Sequence, residues 1–337
     1  MEIIVLYGGR SVEHVVSISS AKYIISCLQE LNHTVKPIYI TEEGTFLYNE
    51  QRVLLDPSIG FCLINREPIS CELVFIMMHG AFGEDGRIQA LMELLNLPYV
   101  STDSLSSMLG MHKAIQNQIY QTHNLPLLPY LEVSYKESPK LEEITQKLGK
   151  DLLLKPEAGG SSVGIIHLNN PTQALLDESL QKLFKLDDNV LIQPFLTDVE
   201  ELLCAVYETE DGIKVVGPGV IKVESEFLDY DQKYDAQKHI YFETSPQLKL
   251  EVKEEACSLA KRVFEVLKCS IYARVDLFYH KGKIYINEIN TIPGFTQFSY
   301  FPQLIKTHDN INYCLNQMIN NSLALFERRN SINHKYE

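Results

Sequence analysis

Short apolar runs alternate with helical stretches through the first hundred residues. EIIVLY (2–7) runs into Gly8-Gly9, a helix follows from about Ser17 to Gln29, and further strands are expected at 34–40 and at LVFIMM, 73–78. Apolar strands separated by helical segments predict a parallel α/β unit. Residues 87–96, RIQALMELLN, carry apolar side chains at helical spacing and extend this unit to about residue 110.

A second unit is expected over 111–198. It opens with a helix near Lys113, passes PLLPYLEV, and reaches the strand DLLLKP (151–156) and the Gly-rich AGGSSVG (158–164). Another strand, a helix near 171–184 and the strand NVLIQPF complete it. The third, 199–337, begins with VEELLCAVYE and VVGPGVIKV and enters a polar Tyr- and Lys-rich segment at 225–243. In EVKEEACSLAKRVFEVLK, Val252, Ala256, Leu259, Val263 and Val266 form one helical stripe. YARVDLFY and KIYINEIN, joined by HKG, predict a hairpin. A final helix is expected over roughly 303–326, followed by a polar tail that frays.

Composition narrows the classes. Of 337 residues, 45% are hydrophobic and 22% charged, an ordinary globular balance with room for two or three domains. The formal charge of −14 argues against non-specific nucleic-acid binding, which needs clustered Lys and Arg. No secretory signal pattern opens the chain, and no apolar run approaches the ~18 residues of a membrane helix. The seven Cys are scattered without a CxxC pair, which fits buried reduced thiols rather than disulfides or zinc. A cytoplasmic location without membrane insertion is expected. Trp is absent.

Chemistry concentrates in the hairpin. Strand side chains alternate faces, so Arg274 and Asp276 share one face and Glu288 and Asn290 share one face of the next strand. Should those faces coincide, three oxygen ligands suited to a hard divalent cation meet one guanidinium; otherwise they are solvated residues on an open sheet. KPEAGGSSVG offers backbone N–H groups, hydroxyls and Lys155 to an anion, and reads equally well as a plain hairpin loop. It is not a Walker A sequence. Glu13 by itself reads as a first-turn carboxylate, and His79 as a satisfied strand-end histidine.

Six segments occur in order: GGRSVEHVVSISSA (8–21), HGAFGEDGRIQALME (79–93), KPEAGGSSVG (155–164), DYDQKY (229–234), ARVDLF (273–278) and NEINTIPGFTQFS (287–299). Together they resemble the D-alanine–D-alanine ligases of the ATP-grasp superfamily, over about residues 3–325. The resemblance implies an N-terminal parallel α/β domain followed by central and C-terminal α+β domains. It implies that one D-alanine carboxylate attacks ATP to give an acyl phosphate, which the amine of a second D-alanine displaces. Glu13 would hold the first ammonium in a network with Ser161 and Tyr234, and His79 would belong to the same substrate site. Lys113, Lys155, Ser161, Ser162 and Lys233 would face ATP phosphates, Gln193 and Phe195 the adenine, and Glu201 the ribose. Asp276, Glu288 and Asn290 would hold Mg²⁺, two ions being usual and Mn²⁺ a substitute. Arg274 and the Gly294 N–H would stabilise the oxyanion, Ser299 and Tyr300 would line the second D-alanine pocket, and 225–243 would be a closing loop. The family is usually homodimeric. Its members that make D-alanyl-D-lactate lack the DYxxKY pattern, which favours an amine acceptor here.

The chain departs from the family at His112, Ser101-Thr102-Asp103, Gln193-Pro194 and Tyr300. Phe195 stands at the adenine linker where Trp is frequent. Two other readings stay open: a related ATP-grasp ligase with a different second amino or hydroxy acid, and an inactive nucleotide-binding homologue.

Overall fold

A computed structural model describes residues 1–223 and 240–332. The chain forms three sheets. The first contains β1 (Glu2–Gly8), β2 (Thr34–Ile40), β3 (Phe46–Tyr48), β4 (Gln51–Asp56), β5 (Gly60–Leu63), β6 (Leu73–Met77) and β7 (Tyr99–Val100), ordered β5-β4-β3-β2-β1-β6-β7. Its β2-β1-β6-β7 half is parallel, as expected, whereas β3–β5 add an antiparallel extension. β3 and β5 are only three and four residues long, and β4 carries Gln51, Arg52 and Asp56, so none shows the longer apolar run that marked β1 and β6. Helix α1 (His14–Glu30) covers this sheet, and α2 (Arg87–Leu94) and α3 (Ser104–Met111) follow. Asp103 caps α3 by accepting the Ser106 N–H.

After α4 (Lys113–Thr122), a four-stranded antiparallel sheet is built from β8 (Leu131–Ser134), β9 (Asp151–Pro156), β10 (Ile166–Asn169) and β11 (Asn189–Pro194), with α5 (Leu141–Leu148) and α6 (Gln173–Leu183) packed on it. The third sheet, also antiparallel, runs β14-β13-β12-β15-β16. Its strands are β12 (Glu200–Thr209), β13 (Gly212–Val223), β14 (Ile240–Glu243), β15 (Tyr272–His280) and β16 (Lys283–Asn290). Between β14 and β15 lies α7 (Leu250–Val266), which buries Ala256, Leu259 and Val263 of the expected stripe.

The third sheet is covered on both faces, which explains the continuous apolar run in β12. Leu202, Cys204 and Val206 join the core beneath α7, while Leu203, Ala205 and Tyr207 join a core continuous with that of the first sheet. On the latter face, Tyr272 is wholly buried, yet Arg274 and Asp276 follow it at two-residue steps along β15. One sheet face is thus apolar at one end and carries the charged residues at the other.

The expected single helix near 303–326 is two: α8 (Tyr300–Ile305) and α9 (Ile311–Asn330). Capping and tertiary contacts together make the break. Asn310 caps α9 through the Asn312 N–H, and Asp309 accepts from Tyr207 and Lys214. Near the end of α9, Arg329 lies over the Tyr99 ring and near Glu93 and Asp103, tying that helix back to β7. All seven cysteines are free thiols, five of them buried. No helix among the described residues is long and apolar enough to cross a membrane.

Candidate active site

The β15–β16 hairpin turns at Lys281-Gly282, both with positive φ, the geometry that two-residue hairpins prefer. Its register sets Arg274 opposite Asn290 and Asp276 opposite Glu288, so the two faces coincide. Arg274 forks onto Asp276, Nε to Oδ1 and Nη2 to Oδ2, both at 2.6 Å, and Asn290 Nδ2 donates to Asp276 Oδ2 at 3.1 Å. Burial works against the Arg274 charge, but Asp276 more than restores it and holds the guanidinium above its ordinary pKa. A bulge between Asp276 and Leu277 inserts Asn287, which then lines the same cleft as Glu288. Alternation alone puts Asn287 on the opposite face from Glu288, so the sequence pattern missed it.

The Gly-rich turn comes over this hairpin from the second sheet. Ser161 and Ser162 both adopt left-handed backbone, a conformation costing about 1–2 kcal/mol for non-glycine residues and concentrated at functional sites. Asp187 holds the turn by accepting the Ala158 N–H at 2.6 Å. Lys113, at the start of α4, donates to Gly159 O at 2.6 Å. The neighbouring His112 Nδ1 lies 3.6 Å from Glu157 Oε1. Lys155 Nζ is 3.5 Å from Asn287 Oδ1. Burial and the nearby Lys113 charge push its pKa down to about 8, against a partial lift from Glu288.

The N-terminal sheet supplies the third wall. Glu13 sits at the entry of α1, and its Oε1 accepts from the Ser161 hydroxyl. Burial raises the Glu13 carboxyl pKa, Glu84 raises it further, and His79 and Ser161 oppose. Gly80, at φ +68°, allows Glu13 to lie against it, since a Cβ there would overlap Glu13 Oε2 and Ser11 Oγ. His79 is 2% exposed, with Nδ1 2.8 Å from Ile292 O and Nε2 2.8 Å from Ser20 Oγ. Both ring nitrogens are thus engaged by protein atoms. Burial would lower its pKa, but Glu84 and Glu13 outweigh that and the net shift is upward. Glu84 accepts from the Gly80 N–H at 3.1 Å. Neither Glu84 nor Ser20 was singled out from sequence, although Ser17 and Ser20, hydroxyls on the buried stripe of α1 with Ala21 and Ile24, were a usable signal.

Two adjoining cavities result. The larger, about 500 Å³, runs from Lys113, Lys155 and Ser162 past Gln193, Phe195 and Glu201 to Asp276. Phe195 stacks on His167 at 3.8 Å, and His167 in turn contacts Asp151 at 2.6 Å. The smaller, about 270 Å³, is bounded by Glu13, His79, Asn290, Gly294 and Ser299. Lys113, Gly159–Ser161, Arg274, Glu288 and Tyr300 border both. Tyr300 packs on Phe242 at 4.7 Å and under Arg274 at 5.7 Å. Ser299 Oγ accepts the Thr296 N–H at 2.9 Å. Lys233 and Tyr234, with 225–239 of the expected loop, lie outside the described residues.

Two carboxylates and an amide clustered beside a cleft suit a hard, oxygen-seeking cation. No group of three or more His, Cys, Asp or Glu is arranged for metal binding among the described residues, so Asp276 and Glu288 would hold a cation only with further oxygen ligands, for which Asn290 is placed.

Comparison with known proteins agrees with this geometry. Residues 2–58 and 63–102 match the family model "D-ala D-ala ligase N-terminus", and residues 119–320 match "D-ala D-ala ligase C-terminus". A D-alanine–D-alanine ligase of Finegoldia magna is 32% identical, the match spanning 99% of this chain and 98% of the relative. The solved D-alanine–D-alanine ligase of Coxiella burnetii superposes with a TM-score of 0.86 at 26% identity, covering 98% of this chain and 97% of that one. The VanG D-Ala:D-Ser ligase of Enterococcus faecalis gives 0.85 at 29% identity, covering 95% and 99%. With both halves matched and its length covered, the chain belongs to the D-alanine–D-alanine ligase family, with that family's ATP-grasp fold.

Proposed function

We propose that this protein is an ATP-dependent ligase that joins two D-alanines through an acyl phosphate, making D-alanyl-D-alanine for peptidoglycan precursors. The observation that carries the reading is the shared border of the two cavities. A nucleotide in the larger one would end where Lys113, Ser161, Arg274 and Glu288 also face the smaller one. Phosphoryl transfer demands that juxtaposition: the attacking carboxylate must meet the terminal phosphate within a cationic surround.

Roles follow from position. Gln193 and Phe195 take the adenine, Glu201 the ribose, and Lys113, Lys155, Ser161 and Ser162 the phosphates, joined by Lys233. Glu13 receives the first ammonium, ordered by Ser161 and Tyr234, while Ser299 and Tyr300 receive the second D-alanine. The carboxylate oxygen of the first D-alanine forms a bond to the γ-phosphorus as the bond to ADP breaks. The second amine then attacks the acyl carbon, and phosphate leaves from the tetrahedral intermediate as the amine gives up its proton. Arg274 and the Gly294 N–H face the oxygen on which charge develops. Asp276, Glu288 and Asn290 would hold Mg²⁺, or Mn²⁺, which supplies charge neutralisation at the phosphates. The resemblance assigns to 225–243, of which 225–239 lie outside the described residues, the role of keeping water from the acyl phosphate.

The same reading assigns substrate handling to 1–110, the Gly-rich turn to 111–198 and catalysis to 199–337, in a cytoplasmic homodimer. Sedimentation of the purified protein tests the dimer. A second reading, an acceptor other than D-alanine, is favoured by Tyr300, which borders the smaller cavity and stands where the family frequently has a smaller apolar residue. One assay separates them: ATP, Mg²⁺ and D-alanine, with ADP and dipeptide both measured. D-alanine-dependent ADP release with stoichiometric dipeptide is expected. Release only when another acceptor is added selects the second reading, and no release in either case refutes both.

A further inference from the structure

Ser20 has no part in the reaction above, yet it joins two parts of the site. It lies in the middle of α1, wholly buried, and its Oγ accepts the Phe295 N–H at 3.1 Å. The same oxygen is 2.8 Å from His79 Nε2. His79 Nδ1 is 2.8 Å from Ile292 O, and a carbonyl can only accept, so Nδ1 carries a hydrogen. In the neutral ring the Ser20 hydroxyl therefore donates to Nε2. In the imidazolium, Nε2 donates to Ser20 instead, and the bridge survives either way. Two ends of one loop, Ile292 and Phe295, are thus tied to α1 and to the end of β6 through one serine and one histidine. Glu84 adds a third tie, its Oε2 lying 3.5 Å from the Ile292 N–H. Gly294 sits between the tied positions, beside Ser299.

We infer that Ser20 is a positioning residue whose hydroxyl holds the Ile292–Phe295 loop and the His79 ring in one arrangement, and so fixes the placement of Gly294. The physical basis is the cost of the alternative. Without the hydroxyl, a buried N–H and a buried ring nitrogen both lose their partner, and the loop must move to find others. Contacts at the nucleotide end of the larger cavity involve none of these atoms. The kinetic consequence rests on the assignment of Gly294 proposed above; the anchoring itself does not.

Two measurements on Ser20→Ala test this. Turnover with D-alanine is expected to fall about tenfold to a hundredfold while KM for ATP stays within about twofold, because the affected loop borders only the smaller cavity. Hydrogen exchange is expected to show the Phe295 amide losing protection by a similar factor while amides of β15 keep theirs. Ser20→Thr, which keeps the hydroxyl, is expected to restore both. Unchanged Phe295 exchange in Ser20→Ala, or a uniform loss of protection across β15, overturns the inference. Altered Phe295 exchange with wild-type turnover overturns the positioning role. If the wild-type protein makes no dipeptide, the functional assignment fails, and the exchange experiment still decides the anchoring. Should Thr not fit, the exchange and kinetics of Ser20→Ala decide between these outcomes.

Discussion

The Ser161 hydroxyl donates to Glu13 Oε1 across 148 positions of sequence, joining the Gly-rich turn to the entry of α1. That bond favours the ionised carboxylate, whereas burial and Glu84 favour the neutral one. Ser161→Ala should therefore raise the Glu13 pKa further. An ammonium ligand needs the charged form, so the acid limb of kcat/KM for D-alanine should move to higher pH. Glu13→Gln should lose about a hundredfold in kcat/KM without that limb. A pH profile of all three proteins checks this, and an unshifted limb in Ser161→Ala would separate Ser161 from Glu13.

Lys155 titrates near the working range, at about 8. It is charged below that value and loses its charge above it, so ATP affinity should weaken as pH rises through about 8. Lys155→Arg does not titrate there and should flatten the profile. The stability effect has its own sign. The folded value lies below the unfolded one of 10.5, so between these limits the unfolded chain binds more protons and stability rises with pH. At neutral pH the buried charge costs roughly 3 kcal/mol, and Lys155→Met should melt higher while losing turnover. ATP binding by calorimetry and thermal melts measure the two effects.

Gly80→Ala combines left-handed backbone with direct overlap on Glu13. A loss of about 1–3 kcal/mol in stability is expected, together with a larger loss in D-alanine turnover than in ATP binding. Denaturant unfolding and steady-state kinetics report each part. Equal losses in both substrates would contradict the placement of Gly80 at the smaller cavity, away from the larger one.

Chelation should abolish ADP release, and Mg²⁺ or Mn²⁺ should restore it. Glu288→Gln removes one carboxylate from the set, so the Mg²⁺ concentration for half-maximal rate should rise at least about tenfold. A metal titration of wild type and variant provides the comparison.

Tyr300→Leu removes the ring beneath Arg274 and its contact with Phe242. KM for the second D-alanine should rise roughly threefold to tenfold. Discrimination against acceptors larger than D-alanine should weaken too. Competition between D-alanine and D-serine, read as product ratio, is the measurement.

Local periodicity made much of this legible. Alternation paired Arg274 with Asp276 and Glu288 with Asn290, and Lys281-Gly282 closed the hairpin that faces the pairs toward each other. These features depend on neighbours one to four residues away, which a sequence displays directly. Asn287 escaped because a single bulged residue breaks the alternation. The split between α8 and α9 escaped because Asp309 is engaged by Tyr207 and Lys214, which come from β12 and β13 of the third sheet, about a hundred positions away.

What the sequence by itself determined was most of the elements, the family and the groups available for chemistry. Which of them share a wall was decided only in three dimensions. Ser20 meets Phe295 over 275 positions and His79 meets Ile292 over 213. Such contacts follow no period, because they depend on how α1, β6 and the third sheet pack. The tertiary structure therefore decided that one sheet face would be core at Tyr272 and a charged cleft at Arg274, where the apolar cover ends and the two cavities begin.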